Sequence, residues 1–158
     1  MKEEFTSMQQ KRAHERLIAE KLTTLHFPEY AYERFGNDQG EPDVIFKNTN
    51  NSLLGVEVTT AYWEDARELT LNLDMLDAKM CELIAKRVIA KADRSYENVD
   101  KTALCIEAKD PASDEVSIAS CVLGIHIPPQ HPFDYIYVLS YTADGGEYEI
   151  FTLYPKED

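Results

Sequence analysis

Two short apolar runs, each carrying an acidic side chain, constrain this chain more than anything else in it. The first is Glu41-Pro42-Asp43-Val44-Ile45-Phe46 and the second is Gly55-Val56-Glu57-Val58-Thr59-Thr60, with an Asn-rich turn over residues 48–52 between them. Aliphatic and β-branched runs bounded by turn-forming residues read as strands, and two of them this close read as a hairpin. Alternation along the second run puts Val56 and Val58 on one face and Glu57 and Thr59 on the other. An ionised carboxylate is costly to bury unless it is paired or bound to a cation. Asp43 and Glu57 on adjacent strands therefore point to a divalent-metal site. The plainer alternative is a turn-capping Asp43 and an edge strand whose wet face holds Glu57 and Thr59.

The surrounding elements follow from periodicity. Residues 6–25 carry a helical pattern, with His14, Leu17, Ile18, Leu22 and Leu25 in one core-facing arc, Glu15 at its margin and Glu20 pointing away. Residues 27–41 form a polar and aromatic connection with a short strand over 30–35, and Asp38-Gln39-Gly40 supplies turn chemistry. A long helix is predicted over 74–92 from Leu76, Met80, Leu83, Ile84, Val88 and Ile89, and a buried central strand over 102–108. Residues 112–127 favour a helix, although 122–127 are rich in β-formers; 133–141 and 148–154 read as strands joined by a turn at Ala143-Asp144-Gly145-Gly146. The fold class expected is α/β (α+β): one domain over 1–158, with a mixed central sheet of about five strands flanked by helices.

Composition narrows the function classes. Sixteen Lys and Arg stand against 29 Asp and Glu, a net charge of −13, which argues against binding nucleic acid by bulk charge alone. Lys79, Lys86, Arg87, Lys91 and Arg94 nevertheless recur along one predicted helix and its end, leaving a local basic face open. No run approaches the roughly 18 apolar residues of a membrane span. With no apolar segment behind Met1-Lys2-Glu3-Glu4, and with Cys81, Cys105 and Cys121 read as buried reduced thiols, a cytoplasmic protein is expected. His14, His26, His126 and His131 lack metal-ligand spacing and read as packing or loop residues; no glycine-rich phosphate loop or nucleophile elbow is present. Trp63 and Tyr62 follow the second acidic strand, where the rings either cap the core or stack on a base.

A helix bearing an acid, a Pro-Asp step into a strand, a hairpin, and a strand with an acid two residues before a polar side chain together resemble the PD-(D/E)xK nuclease superfamily, whose fold is called restriction-endonuclease-like. The resemblance spans residues 6–154 and rests on short motifs. It implies that Asp43 and Glu57 hold Mg²⁺ or Mn²⁺, joined by Glu15 as the acid of the first helix and by the Val58 carbonyl. It also implies a metal-dependent hydrolysis of nucleic-acid phosphodiester bonds. Thr59 stands where the family has lysine, so the cation that activates water would have to come from elsewhere, with Lys86 preferred to Lys79. Relatives of this kind often act as homodimers. The competing expectation is a degenerate member or an acidic protein-binding protein of the immunity or DNA-mimic type, favoured by the charge of −13 and the missing lysine.

Overall fold

The computed structural model describes residues 2–62, 76–109, 122–141 and 148–155. The elements run α1 (Lys2–His26), β1 (Ala31–Phe35), β2 (Val44–Lys47), β3 (Leu53–Tyr62), α2 (Leu76–Lys91), β4 (Lys101–Lys109), a single 3₁₀ turn (Val122–Gly124), β5 (Tyr135–Tyr141) and β6 (Tyr148–Tyr154). They build one six-stranded mixed sheet in the order β1-β2-β3-β4-β5-β6. The β3–β4 and β4–β5 pairs are parallel and the outer pairs antiparallel. Parallel neighbours cannot be joined by a tight turn, and α2 lies in the connection between β3 and β4. The short strand at Ala31–Phe35 joins the sheet edge, which is why the count is six rather than about five.

Both faces of the sheet are covered. Ile18, Ala19 and Leu22 of α1 pack with Val44, Phe46, Val56, Val58, Ala103 and Cys105 on one face. Met80, Ile84 and Val88 of α2 pack with Leu104, Ile106, Ile136 and Val138 on the other. Central parallel strands enclosed this way are expected to be apolar almost continuously, and residues 102–108 are buried throughout.

The predicted stripe on α1 needs correction. Leu17 and Leu25 are 52% and 58% exposed, while Ile18, Ala19 and Leu22 are fully buried. The face toward the sheet is the row Glu15, Ala19, Leu22, at steps of four and three residues. Glu15 therefore lies on the axis of the buried face and not at its margin. On α2, Ile89 likewise turns to solvent, 59% exposed, beside a fully buried Val88. The C-terminal part of the helix favoured over 112–127 is only the 3₁₀ turn Val122–Gly124, followed by irregular chain; residues 112–121 lie outside the described ones, as do Trp63 and the turn at 143–146.

Cys81 and Cys105 do not behave alike. Cys105 is free and buried, its thiol pushed up to about 12 by burial, whereas Cys81 is disulfide-bonded. A disulfide is the habit of oxidising compartments, so the thiol-based ground for a cytoplasmic placement falls away. Among the described residues no helix is long and apolar enough to cross a membrane.

Candidate active site

The site forms where β2 stops. Val44 pairs with Val56, but β3 continues to Tyr62, and among the described residues only β4 pairs with its second half. Two side chains take over the ladder at the split. The Asp43 amide donates to Glu57 Oε1 at 3.2 Å, and the Val58 amide donates to Asp43 Oδ2 at 2.9 Å. Each acid thus satisfies a backbone donor that the departing strand would have paired.

Local packing holds Asp43 there. A Cβ on Gly55 would lie 2.3 Å from Pro42 Cγ, and one on Gly36 would lie 1.6 Å from the Pro42 carbonyl oxygen, so the Pro-Asp step is seated on two glycines. The Gly36 amide donates to the Asp43 carbonyl at 3.0 Å. Just upstream, Glu41 accepts from both terminal nitrogens of Arg34 at 2.7 Å, from the Asn37 amide at 2.9 Å and from Asn98 Nδ2 at 3.0 Å. The Arg34 hydrogen bonds, helped by the Asn37 amide, hold the Glu41 carboxyl down at about 2.

Glu57 is the electrostatic centre. It is only 5% exposed, so it is not a wet-face residue. Tyr96 Oη donates to its Oε2 at 2.7 Å, with Lys91 Nζ at 3.6 Å and Arg94 Nη1 at 3.9 Å from the same oxygen. Burial, reinforced by hydrogen-bonded contact with Asp43, nonetheless pushes its carboxyl up to about 7. Burial also raises Asp43, against its bonds to Glu57 and the Val58 amide, and Glu15 adds to the rise. Glu15 is raised as well, chiefly by burial, while hydrogen-bonded to Asp43. Like-charged carboxylates this close cannot all ionise without a cation or shared protons.

Three clefts meet at Asp43. One of about 400 Å³ runs between Lys11, Arg12 and Asn37. A second, about 370 Å³, reaches Glu57, Arg94 and Tyr96. The third, about 270 Å³, joins His14, Glu15, Thr59 and Lys91. Residues from both sheet faces share this third cleft because the end of β2 opens the edge between them.

Asp43, Glu57, Glu15 and Thr59 are thus brought to one place, as the sequence implied. Lys86 is not. It is 54% exposed and pairs with Glu82 at 3.6 Å, one helical turn away on the outer face of α2, and Lys79 holds the same Glu82 at 3.0 Å. The cations at the carboxylates are Lys91, in the last turn of α2, and Arg94 just beyond it. In the sequence Lys91 stood only among the basic residues that recur along the predicted helix and its end; its helical offset from Lys86 was the available signal. Tyr96 and Glu41 were also missed, since their roles depend on a loop and a salt bridge that spacing does not encode.

Asp43 and Glu57 offer the one or two protein carboxylates that Mg²⁺ takes while it keeps several waters. Among the described residues no group of three or more His, Cys, Asp or Glu side chains is arranged to hold a metal ion. The Asp43–Glu57 contact, which a divalent ion would relieve, is the feature that fits one. No protein-family model, curated protein or solved structure matches the chain.

Proposed function

We propose that this chain is a divalent-metal-dependent phosphodiesterase acting on nucleic acid, a variant of the PD-(D/E)xK type in which Lys91 serves for the lysine that Thr59 replaces. The observation that carries this reading is the meeting of Asp43 and Glu57 where β2 leaves β3, with the Lys91 ammonium 3.6 Å from Glu57. Asp43 and Glu57 would hold Mg²⁺ or Mn²⁺, which supplies Lewis acidity toward a phosphoryl oxygen and lowers the pKa of bound water. Strand geometry turns the Val58 carbonyl to the same edge as its amide, where it would be available as a further ligand. Glu15, bonded to Asp43, would orient it or accept a proton from an outer water.

The other residues supply what such a hydrolysis needs. Lys91 brings fixed positive charge to a largely buried place, where preorganised charge acts most strongly on a developing anion. The Thr59 hydroxyl lines the same cleft and can hydrogen-bond water but adds no charge. Lys11, Arg12 and Arg94 edge the clefts, giving a chain of net charge −13 a local landing place for phosphate.

Calorimetric titration of Mn²⁺ into wild type and into the Asp43→Ala/Glu57→Ala double variant tests the metal, with hydrolysis of DNA and RNA oligonucleotides read alongside. Carboxylate-dependent binding together with cleavage is expected. Absence of both in wild type defeats the catalytic reading and leaves the protein-binding alternative, which the acidic charge favours.

A further inference from the structure

A second polar constellation adjoins the carboxylates. Glu107 of β4 is fully buried, and an unpaired carboxylate there would be strongly unfavourable. Tyr62 Oη donates to its Oε1 at 2.9 Å, and His14 Nε2 lies 2.8 Å from the same oxygen. His14 is not enclosed with its partner. Its side chain is 41% exposed, and it lines the third cleft with Glu15, Asp43, Thr59 and Lys91. Its other ring nitrogen, Nδ1, has no protein partner among the described residues. A histidine anchored through one nitrogen by a buried carboxylate, with the other left to a reaction cleft, has the arrangement by which a carboxylate orients an imidazole for proton transfer.

We propose that His14 is a further catalytic residue of this site, the proton donor to the leaving oxygen of the phosphodiester, and that Glu107 is its positioning residue. The inference rests on the hydrolytic reading above. In the step assigned, a water oxygen forms a bond to phosphorus as the bond from phosphorus to the leaving oxygen breaks. The proton on Nδ1 passes to that oxygen, giving an alcohol, and the attacking water loses its own proton to solvent. The ring regains a proton from solvent through its exposed edge, so one water is consumed for each bond cut.

The test compares two oligonucleotide substrates with Mn²⁺, one with an ordinary phosphodiester and one with sulfur in place of the leaving bridging oxygen. Which bridging position is changed follows from the end group that wild type leaves. A thiolate departs without needing a proton, so loss of a proton donor is felt only on the oxygen substrate. His14→Gln keeps an amide able to donate to Glu107 but cannot deliver a proton. It should slow cleavage of the oxygen substrate by about 100-fold or more, and of the sulfur substrate by less than about threefold. Glu107→Gln should show the same selectivity with a smaller loss, with circular dichroism and melting checking the fold of both variants. Equal losses on the two substrates, or no loss on the oxygen substrate, would overturn the assignment while leaving the hydrolytic reading intact. A wild type that cleaves neither substrate overturns both.

Discussion

Glu57 should make the protein less stable as pH rises from about 4.5 toward neutrality, the reverse of an ordinary paired carboxylate. Burial and the neighbouring Asp43 push its carboxyl from its usual 4.5 up to about 7. The folded chain therefore keeps a proton on Glu57 up to about pH 7, whereas the unfolded chain releases it near 4.5. Between these values the folded state binds more protons, so stability falls with rising pH and levels off above about 7. At ~1.4 kcal/mol for each pH unit, the window from 4.5 to about 7 amounts to about 3 kcal/mol. Glu57→Gln abolishes this titration while its amide oxygen can still accept from Tyr96. Urea denaturation of both proteins from pH 4.5 to 8.5, in chelator, reads the effect. The variant should be close to wild type at the acid end and gain on it by about 3 kcal/mol at the alkaline end. Parallel curves, or a wild type that gains on the variant between pH 5 and 7.5, would refute the reasoning.

Other residues carry separate consequences. Lys91→Ala should lower cleavage about 100-fold or more, while Lys86→Ala should stay within about twofold, as steady-state rates would show. Gly55→Ala places a Cβ 2.3 Å from Pro42 Cγ, so urea denaturation should show a loss of about 1–3 kcal/mol, and calorimetry a weaker Mn²⁺ affinity as Asp43 is displaced. The Glu41 carboxyl, held at about 2, adds stability that is present above its usual 4.5 and lost as pH falls toward 2; Glu41→Gln should therefore destabilise at pH 7 and converge on wild type in acid titrations followed by circular dichroism.

What the sequence disclosed follows from which forces are local. The hairpin, the central strand over residues 102–108 and the helix containing Met80, Ile84 and Val88 were legible because burial repeats at the period of each element. Asp43 and Glu57 stood out because an acid inside an apolar strand is costly wherever the chain later places it. The α1 stripe was misread because apolar residues alone fix its direction poorly. Leu17 and Leu25 drew the arc toward solvent, and a carboxylate at Glu15 gives no apolar signal on the axis it occupies. Lys86 and Lys91 differ only in helical phase and in where α2 ends, so choosing between them required the position of the helix against β3.

The pairings that span the fold were beyond periodicity altogether. His14 and Glu107 are 93 residues apart, and Glu57 and Tyr96 are 39 apart. In each case a buried carboxylate recruited a partner from a different element. That common origin also explains why donors collect at one place on an acidic chain. A carboxylate set into the sheet needs a donor within hydrogen-bond reach, and Lys91, Arg94, Tyr96 and His14 gather around the split between β2 and β3 for that electrostatic reason. A site with carboxylates at its floor and donors at its wall can hold a cation and an anion together, which is what phosphate hydrolysis requires and what a purely acidic mimic surface would lack.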